Sequence, residues 1–146
     1  VERLSPEFKP EDIYISTNIL YKEMLQEQLP AIPEKNFIFE PEKKDVAPAI
    51  ALIMGILSKQ FPNEPIAILW SDHLVKKVHL FKNILKVAGN FIAKNQEKIV
   101  FIGHKPRFAS TNLGYIHFGK ELKKISGVDL FQFEGFKYRP DEKTAK

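Results

Sequence analysis

Cysteine is absent from the 146 residues, which excludes a disulfide framework and any thiolate-bound metal. That absence fits a reducing compartment, and the cytoplasm is the expected location. Glycine is scarce. The seven glycines stand at 55, 89, 103, 114, 119, 127 and 135 and never cluster, so the chain holds no Gly-rich loop of the kind that wraps phosphates. No uninterrupted apolar run reaches roughly 18 residues, so no membrane-spanning helix is expected. Val1 to Asp12 is polar and lacks the apolar centre of a signal peptide. No Ser-His-Asp or Cys-His arrangement can be argued from the spacings. Charge of one sign is only slightly in excess, with 22 basic against 18 acidic residues and a net charge of +4. Its densest clusters, Lys43-Lys44, Lys76-Lys77 and Lys123-Lys124, are mere pairs. Basic and aromatic residues are not interleaved on one stripe, so a nucleic-acid-binding module is poorly supported. Mild basicity also suits an enzyme with anionic substrates.

What is present is enough for a packed core. Apolar residues make up 44% of the chain, and phenylalanine alone occurs 12 times, unlike a disordered segment. Ile13-Tyr14-Ile15, followed by Ser16-Thr17-Asn18, predicts a strand over about 12–17 and then a helix start. Apolar residues at 20, 24, 25 and 29 have helical spacing, ended by Pro30 and Pro33. Phe37-Ile38-Phe39 predicts a second strand. Val46 to Phe61 predicts a helix apolar almost all round, expected to be buried on more than one side. Ile66 to Trp70 reads as a third strand, covered on both faces. A helix over about 79–94 carries the stripe Leu80, Phe81, Ile84, Leu85, Ala88, Phe91 and Ile92. Ile99 to Ile102 reads as a fourth strand, closed by Gly103. The alternation predicts an α/β fold: a Rossmann-like, doubly wound, mainly parallel sheet containing all four strands. Leu113–Phe118 and Val128–Tyr138 read as further strands with no helix between them, which makes the sheet mixed.

In such sheets ligands bind beyond the carboxyl ends of the strands. Ser71-Asp72-His73 follows the third strand. A carboxylate there suits Mg²⁺, a hard cation often shared with substrate phosphates. On spacing alone, the commoner role of such an Asp is to cap a turn or helix. Glu40 to Pro48 leads into a helix N-terminus, where N–H groups favour anions and polar ligands. It reads equally as an ordinary loop. Lys105 and Arg107, on either side of Pro106, are either phosphate contacts or solvated surface charges.

Several segments resemble one family when taken in order: Ile15-Ser16-Thr17-Asn18, Glu40-Pro41, Lys44-Asp45-Val46-Ala47-Pro48, Ser71-Asp72-His73, Gly103-His104-Lys105-Pro106, Thr111-Asn112-Leu113-Gly114-Tyr115-Ile116 and Pro140-Asp141. The chain is similar to the mannose-1-phosphate guanylyltransferases, nucleotide-sugar pyrophosphorylases of the nucleotide-diphospho-sugar transferase fold. The resemblance implies transfer of GMP from GTP to mannose 1-phosphate, giving GDP-mannose and pyrophosphate. It implies Mg²⁺ held by Asp72 as the catalytic and metal-binding residue. It implies a nucleotide site at Glu40, Pro41, Asp45, Ala47 and Ser71, and a sugar site at Gly114, Tyr138 and Arg139. Gly114 is expected to let the backbone approach the sugar.

The family's Gly-rich opening loop and a later metal-holding Asp find no counterpart here. The chain, 1–146, is therefore expected to be one partial nucleotidyltransferase domain, continued at both ends and inactive alone. Val46 stands where Thr is usual, Trp70 where Pro is usual, and Tyr138-Arg139-Pro140 where Glu-Lys-Pro is usual. Losing that Glu removes an acceptor for sugar hydroxyls. The alternative reading is a diverged relative that binds a nucleotide or sugar without turnover. Self-association into a homo-oligomer stays open.

Overall fold

The computed structural model describes residues 1–42 and 44–146. They form two compact units: Val1–Ile66 with Trp70–Val78, and Ala67–Leu69 with His79–Lys146.

The first unit holds a two-stranded parallel sheet. β1 (Ile15–Asn18) pairs with β2 (Phe37–Glu40) in the register Ile15↔Phe37 to Asn18↔Glu40. β1 lies slightly later than the sequence suggested, because Ser16-Thr17-Asn18 joins the ladder. Asn18 still starts the next element: its Oδ1 accepts from the Leu20 N–H at 3.0 Å, opening a 3₁₀ turn at Ile19–Tyr21 that runs into α1 (Lys22–Gln28). Ile32, Phe37, Ile38 and Leu57 are the buried apolar residues of this unit. Between them lies Asn36, fully buried. Its side-chain amide donates to the carbonyls of Glu11 at 2.9 Å, Ile13 at 3.0 Å and Pro10 at 3.5 Å. One polar side chain thus ties the approach to β1 onto the start of β2.

α2 (Val46–Gln60) forms where the apolar run predicts a helix, with Pro48 in its first turn, where a missing N–H does no harm. Its burial differs from expectation. Only Leu57 is buried, while Val46, Leu52 and Met54 are exposed. A helix this apolar needs cover on several faces, and the described residues of its unit cover one.

The second unit is built on a long antiparallel hairpin. β3 (Gly114–Ile125) and β4 (Val128–Tyr138) meet at a two-residue turn. Ser126 and Gly127 both have positive φ, 48° and 79°, as a type I′ turn requires. A Lys124–Asp129 ion pair at 2.8 Å flanks the turn, and its hydrogen bond raises the Lys124 pKa above the ordinary lysine value. α3 (Val78–Ala93) buries Leu85 from its predicted stripe. It leans on the hairpin through Asn83, which donates to the Ser126 carbonyl at 3.1 Å, and through Phe91, whose ring lies 5.2 Å from the Lys123 ammonium. The chain closes with α4 (Glu142–Ala145).

Two expectations need correction. Neither 66–70 nor 98–103 forms a strand, so the four predicted strands do not share one sheet. The architecture is α/β with one small parallel pair and one separate hairpin. The reason is backbone pairing. A run with strand composition becomes a strand only when another strand satisfies its N–H and C=O groups, and among the described residues β1 and β2 pair with each other alone. The fourth run packs by side chain instead: Phe101 stacks on Phe133 of β4 with ring centroids 5.2 Å apart. Ile99 is 84% exposed.

Candidate functional site

The clearest concavity of the first unit lies where β2 passes into α2. It holds about 260 Å³ and is lined by Glu40, Pro41, Glu42, Lys44, Pro48, Ala49 and Leu52. Prolines and aliphatic side chains supply a flat apolar wall, and the two glutamates place acceptors at its rim. Glu42 also holds Lys44 in an ion pair at 2.6 Å.

The entry to α2 is shaped by Asp45. Its φ of 71° and ψ of −177° lie in a region that residues with a Cβ seldom enter. The same residue caps the helix, its carboxylate accepting from the Val46 N–H at 2.8 Å. Of the residues expected to hold a nucleotide, Glu40 and Pro41 line the cleft. Asp45 acts through the backbone, and Ala47 lies exposed in the first turn of α2. A larger hollow of about 430 Å³, around Pro30 to Phe37, contains none of them.

Ser71 and Asp72 occupy an exposed turn rather than a strand tip, because no strand precedes them. The Asp72 side chain is 86% exposed, and its Oδ1 lies 4.0 Å from His73 Nε2. Among the described residues, no group of three or more His, Asp or Glu side chains could enclose a metal ion. A single exposed carboxylate of this kind is compatible with Mg²⁺ as one ligand among phosphate and water oxygens.

The turn itself is clamped by a residue that sequence reasoning missed. Arg3 donates from Nη2 to the Trp70 carbonyl at 2.6 Å and from Nη1 to the His73 carbonyl. No local pattern signals a bond between residues so far apart in the chain.

The second unit brings the three expected sugar residues together at the open end of the hairpin. Gly114 and Tyr138 are cross-strand partners. Arg139, with φ of 44°, donates its N–H to the Leu113 carbonyl at 3.1 Å, and its guanidinium lies 5.1 Å from the Tyr138 ring centre. Tyr138 stacks at 6.4 Å on Phe136. Gly114 also packs closely against its own hairpin. A methyl group at Gly114 would overlap the Phe136 ring, so the glycine makes room for an aromatic neighbour. Tyr115, also missed, braces the preceding loop: its hydroxyl accepts from the Ser110 N–H at 2.8 Å and donates to the Ser110 carbonyl at 3.0 Å.

Asp141 caps α4 by accepting from the Thr144 N–H at 2.7 Å, and this bond lowers its pKa below the ordinary 3.8. The contribution of the cap is thus complete above that ordinary value and is lost as pH falls through the lowered one. The Thr144 amide resonance should hold its position down to about pH 4 and move only in stronger acid. Movement between pH 7 and 5 would contradict the cap.

A family model described as Nucleotidyl transferase matches residues 3–145. The chain belongs to the nucleotidyl transferase family. Within that family it is 35% identical over 133 residues to a mannose-1-phosphate guanylyltransferase of Escherichia coli, covering 88% of this chain and 28% of the relative. It is 31% identical over 150 aligned positions to a mannose-1-phosphate guanylyltransferase of Salmonella muenchen, covering 100% of this chain and 30% of that protein. To the alginate biosynthesis protein AlgA of Pseudomonas aeruginosa it is 29% identical over 125 residues, 84% of this chain and 25% of the relative. This nucleotidyl transferase chain thus spans between a quarter and a third of the length of these curated relatives. None of its described helices is long and apolar enough to cross a membrane.

Proposed function

We propose that the natural protein carrying this chain is a sugar-1-phosphate nucleotidyltransferase that converts GTP and mannose 1-phosphate into GDP-mannose and pyrophosphate in the cytoplasm. The observation that carries this reading is the family match over residues 3–145 together with relatives named for that reaction. The complete domain is proposed to be a doubly wound, mainly parallel sheet in which β1 and β2 are neighbours.

In the reaction, a phosphate oxygen of the sugar phosphate attacks the α-phosphorus of GTP. A new P–O bond forms, the bond to the β-phosphate oxygen breaks, and pyrophosphate leaves with that electron pair. Such a displacement depends on alignment and charge neutralisation more than on covalent help from the protein. Mg²⁺, when bound, neutralises charge on the phosphates and holds them in line.

The cleft at Glu40 suits the base end of the nucleotide. Its apolar wall of Pro41, Pro48 and Leu52 can stack on a purine. The Glu40 carboxylate can accept from the adjacent N–H groups of guanine, whereas it would repel phosphate. The Asp45 cap fixes the course of the chain into α2, and with it the rim of the cleft. Ala47 and Ser71 are proposed to border the nucleotide. Asp72 is proposed to hold Mg²⁺. Gly114, Tyr138 and Arg139 are proposed to meet the sugar, with Arg139 supplying positive charge and the Tyr138 ring a stacking face.

The test is pyrophosphate release by the natural protein with GTP, mannose 1-phosphate and Mg²⁺, set against ATP, UTP and glucose 1-phosphate. Release should require GTP and mannose 1-phosphate together. Saturable binding without release from any pair would instead identify a diverged binding relative.

A further inference from the structure

We propose that Arg3 is a positioning residue for Asp72, acting through the backbone of the turn and not by touching substrate. This rests on the proposed metal role of Asp72. Two N–H groups of one guanidinium reach the carbonyls of Trp70 and His73, which bracket Asp72 two residues before and one after. The run before the turn has no ladder to hold it, since 66–70 is not a strand. Asp72 itself is exposed, and its ionic contact with His73 stretches to 4.0 Å. A carboxylate on such a turn would sample many positions. A ligand for a small, strictly octahedral cation has to be held in place.

The planar fork of Arg3 supplies that constraint, because its donors keep a fixed separation and so fix the distance between the two carbonyls. Those donors are committed to the protein, so Arg3 shapes the site without being one of its phosphate contacts. Lysine could satisfy either carbonyl in turn but would not hold both in one geometry. Residues that orient a metal ligand typically change metal affinity or activity by 10–100-fold when replaced.

The test uses the natural protein and four variants: Arg3→Ala, Arg3→Lys, Asp72→Asn and the Arg3→Ala/Asp72→Asn pair. Affinity for Mn²⁺–GTP is read by electron paramagnetic resonance, and mobility of the turn by hydrogen exchange at Ser71, Asp72 and His73. Arg3→Ala should weaken Mn²⁺–GTP binding about tenfold and speed exchange at those three amides. Arg3→Lys should fall between it and the parent on both readouts, and it keeps the comparison valid should the alanine variant fold poorly. KM for mannose 1-phosphate should stay within about twofold, because no uniform binding contact is removed. In the Asp72→Asn background, Arg3→Ala should add no further loss.

Equal losses from Arg3→Ala in both backgrounds would reduce Arg3 to a general stabiliser and overturn the proposal. So would unchanged Mn²⁺–GTP affinity in both Arg3 variants where Asp72→Asn lowers it, and that result would leave the metal role standing. Unchanged affinity in Asp72→Asn would remove the metal role itself, and the positioning role with it.

Discussion

Replacing Asp72 with Asn in the natural protein should lower Mg²⁺-supported pyrophosphate release by about a hundredfold or more while leaving the unfolding midpoint nearly unchanged. The two halves of this expectation come from the same geometry. Asp72 is exposed on a turn, with its side chain 86% open to solvent, and substitutions at such positions change stability by no more than about 0.5 kcal/mol. Its contact with His73 is long and wet, so losing it matters little. The amide keeps the size and shape of the carboxylate but not its charge, and charge is what a hard divalent cation requires of an oxygen ligand. Among the described residues, no group of three or more acidic or imidazole side chains offers an alternative metal site. Part of the lost rate should return at high Mg²⁺, since mass action can offset a weakened site. Equal rates in variant and parent at limiting Mg²⁺ would end the metal role. A large fall in midpoint would instead assign Asp72 a structural one.

The largest stability effect should come from Asn36. Asn36→Ala should destabilise the protein by about 1–2 kcal/mol, since it removes hydrogen bonds to the carbonyls of Glu11 and Ile13 and a weaker one to Pro10 and leaves partly buried acceptors behind, a loss offset in part because the Asn36 Oδ1 is buried with no partner among the described residues. Asn36→Asp is the sharper variant. It conserves volume but turns an ionised carboxylate toward three carbonyl oxygens in a fully buried position, so near neutral pH it should be worse than alanine. Burial raises the folded-state pKa of the introduced carboxyl above its unfolded value. The Asp-specific deficit should therefore be smallest at acid pH, where the group is protonated in both states, and should grow as pH rises through that folded-state pKa. Urea unfolding of both variants at pH 4 and pH 7 decides the matter. A deficit that is independent of pH would mean the amide is not the tie described.

Local chemistry was legible in the sequence, and pairing was not. The 3.6-residue period located α1 and α3, and the apolar run from Val46 to Phe61 located α2, whereas the run 113–118 gave only the first half of β3. Glu40-Pro41 ahead of a helix start led to the cleft they line. Ile66 to Trp70 and Ile99 to Ile102 have the composition of buried strands, but composition says nothing about whether a partner backbone lies alongside. Arg3 and Asn36 were invisible for a related reason. Each acts on main-chain carbonyls distant in sequence, and a carbonyl leaves no trace in residue identity. Gly114 stands out for its missing Cβ, and the ring of Phe136 lies where that Cβ would be. Tyr138 and Arg139 were singled out from resemblance, and only the hairpin register explains why they share an end with Gly114.

The Ser126-Gly127 turn also bears on the order in which the chain acquires structure. β3 and β4 are joined by two residues whose positive φ angles match the twist of the strands, so their pairing needs almost no loop closure and belongs to events of about 1–10 μs. β1 and β2 run parallel with α1 between them, and their ends cannot meet until that whole connection has been drawn in. The Asn36 bonds span the same gap and form only when it closes. The hairpin is thus the early-folding element of the second unit, and the parallel pair, on which the Glu40 cleft is built, is a late arrival in the first.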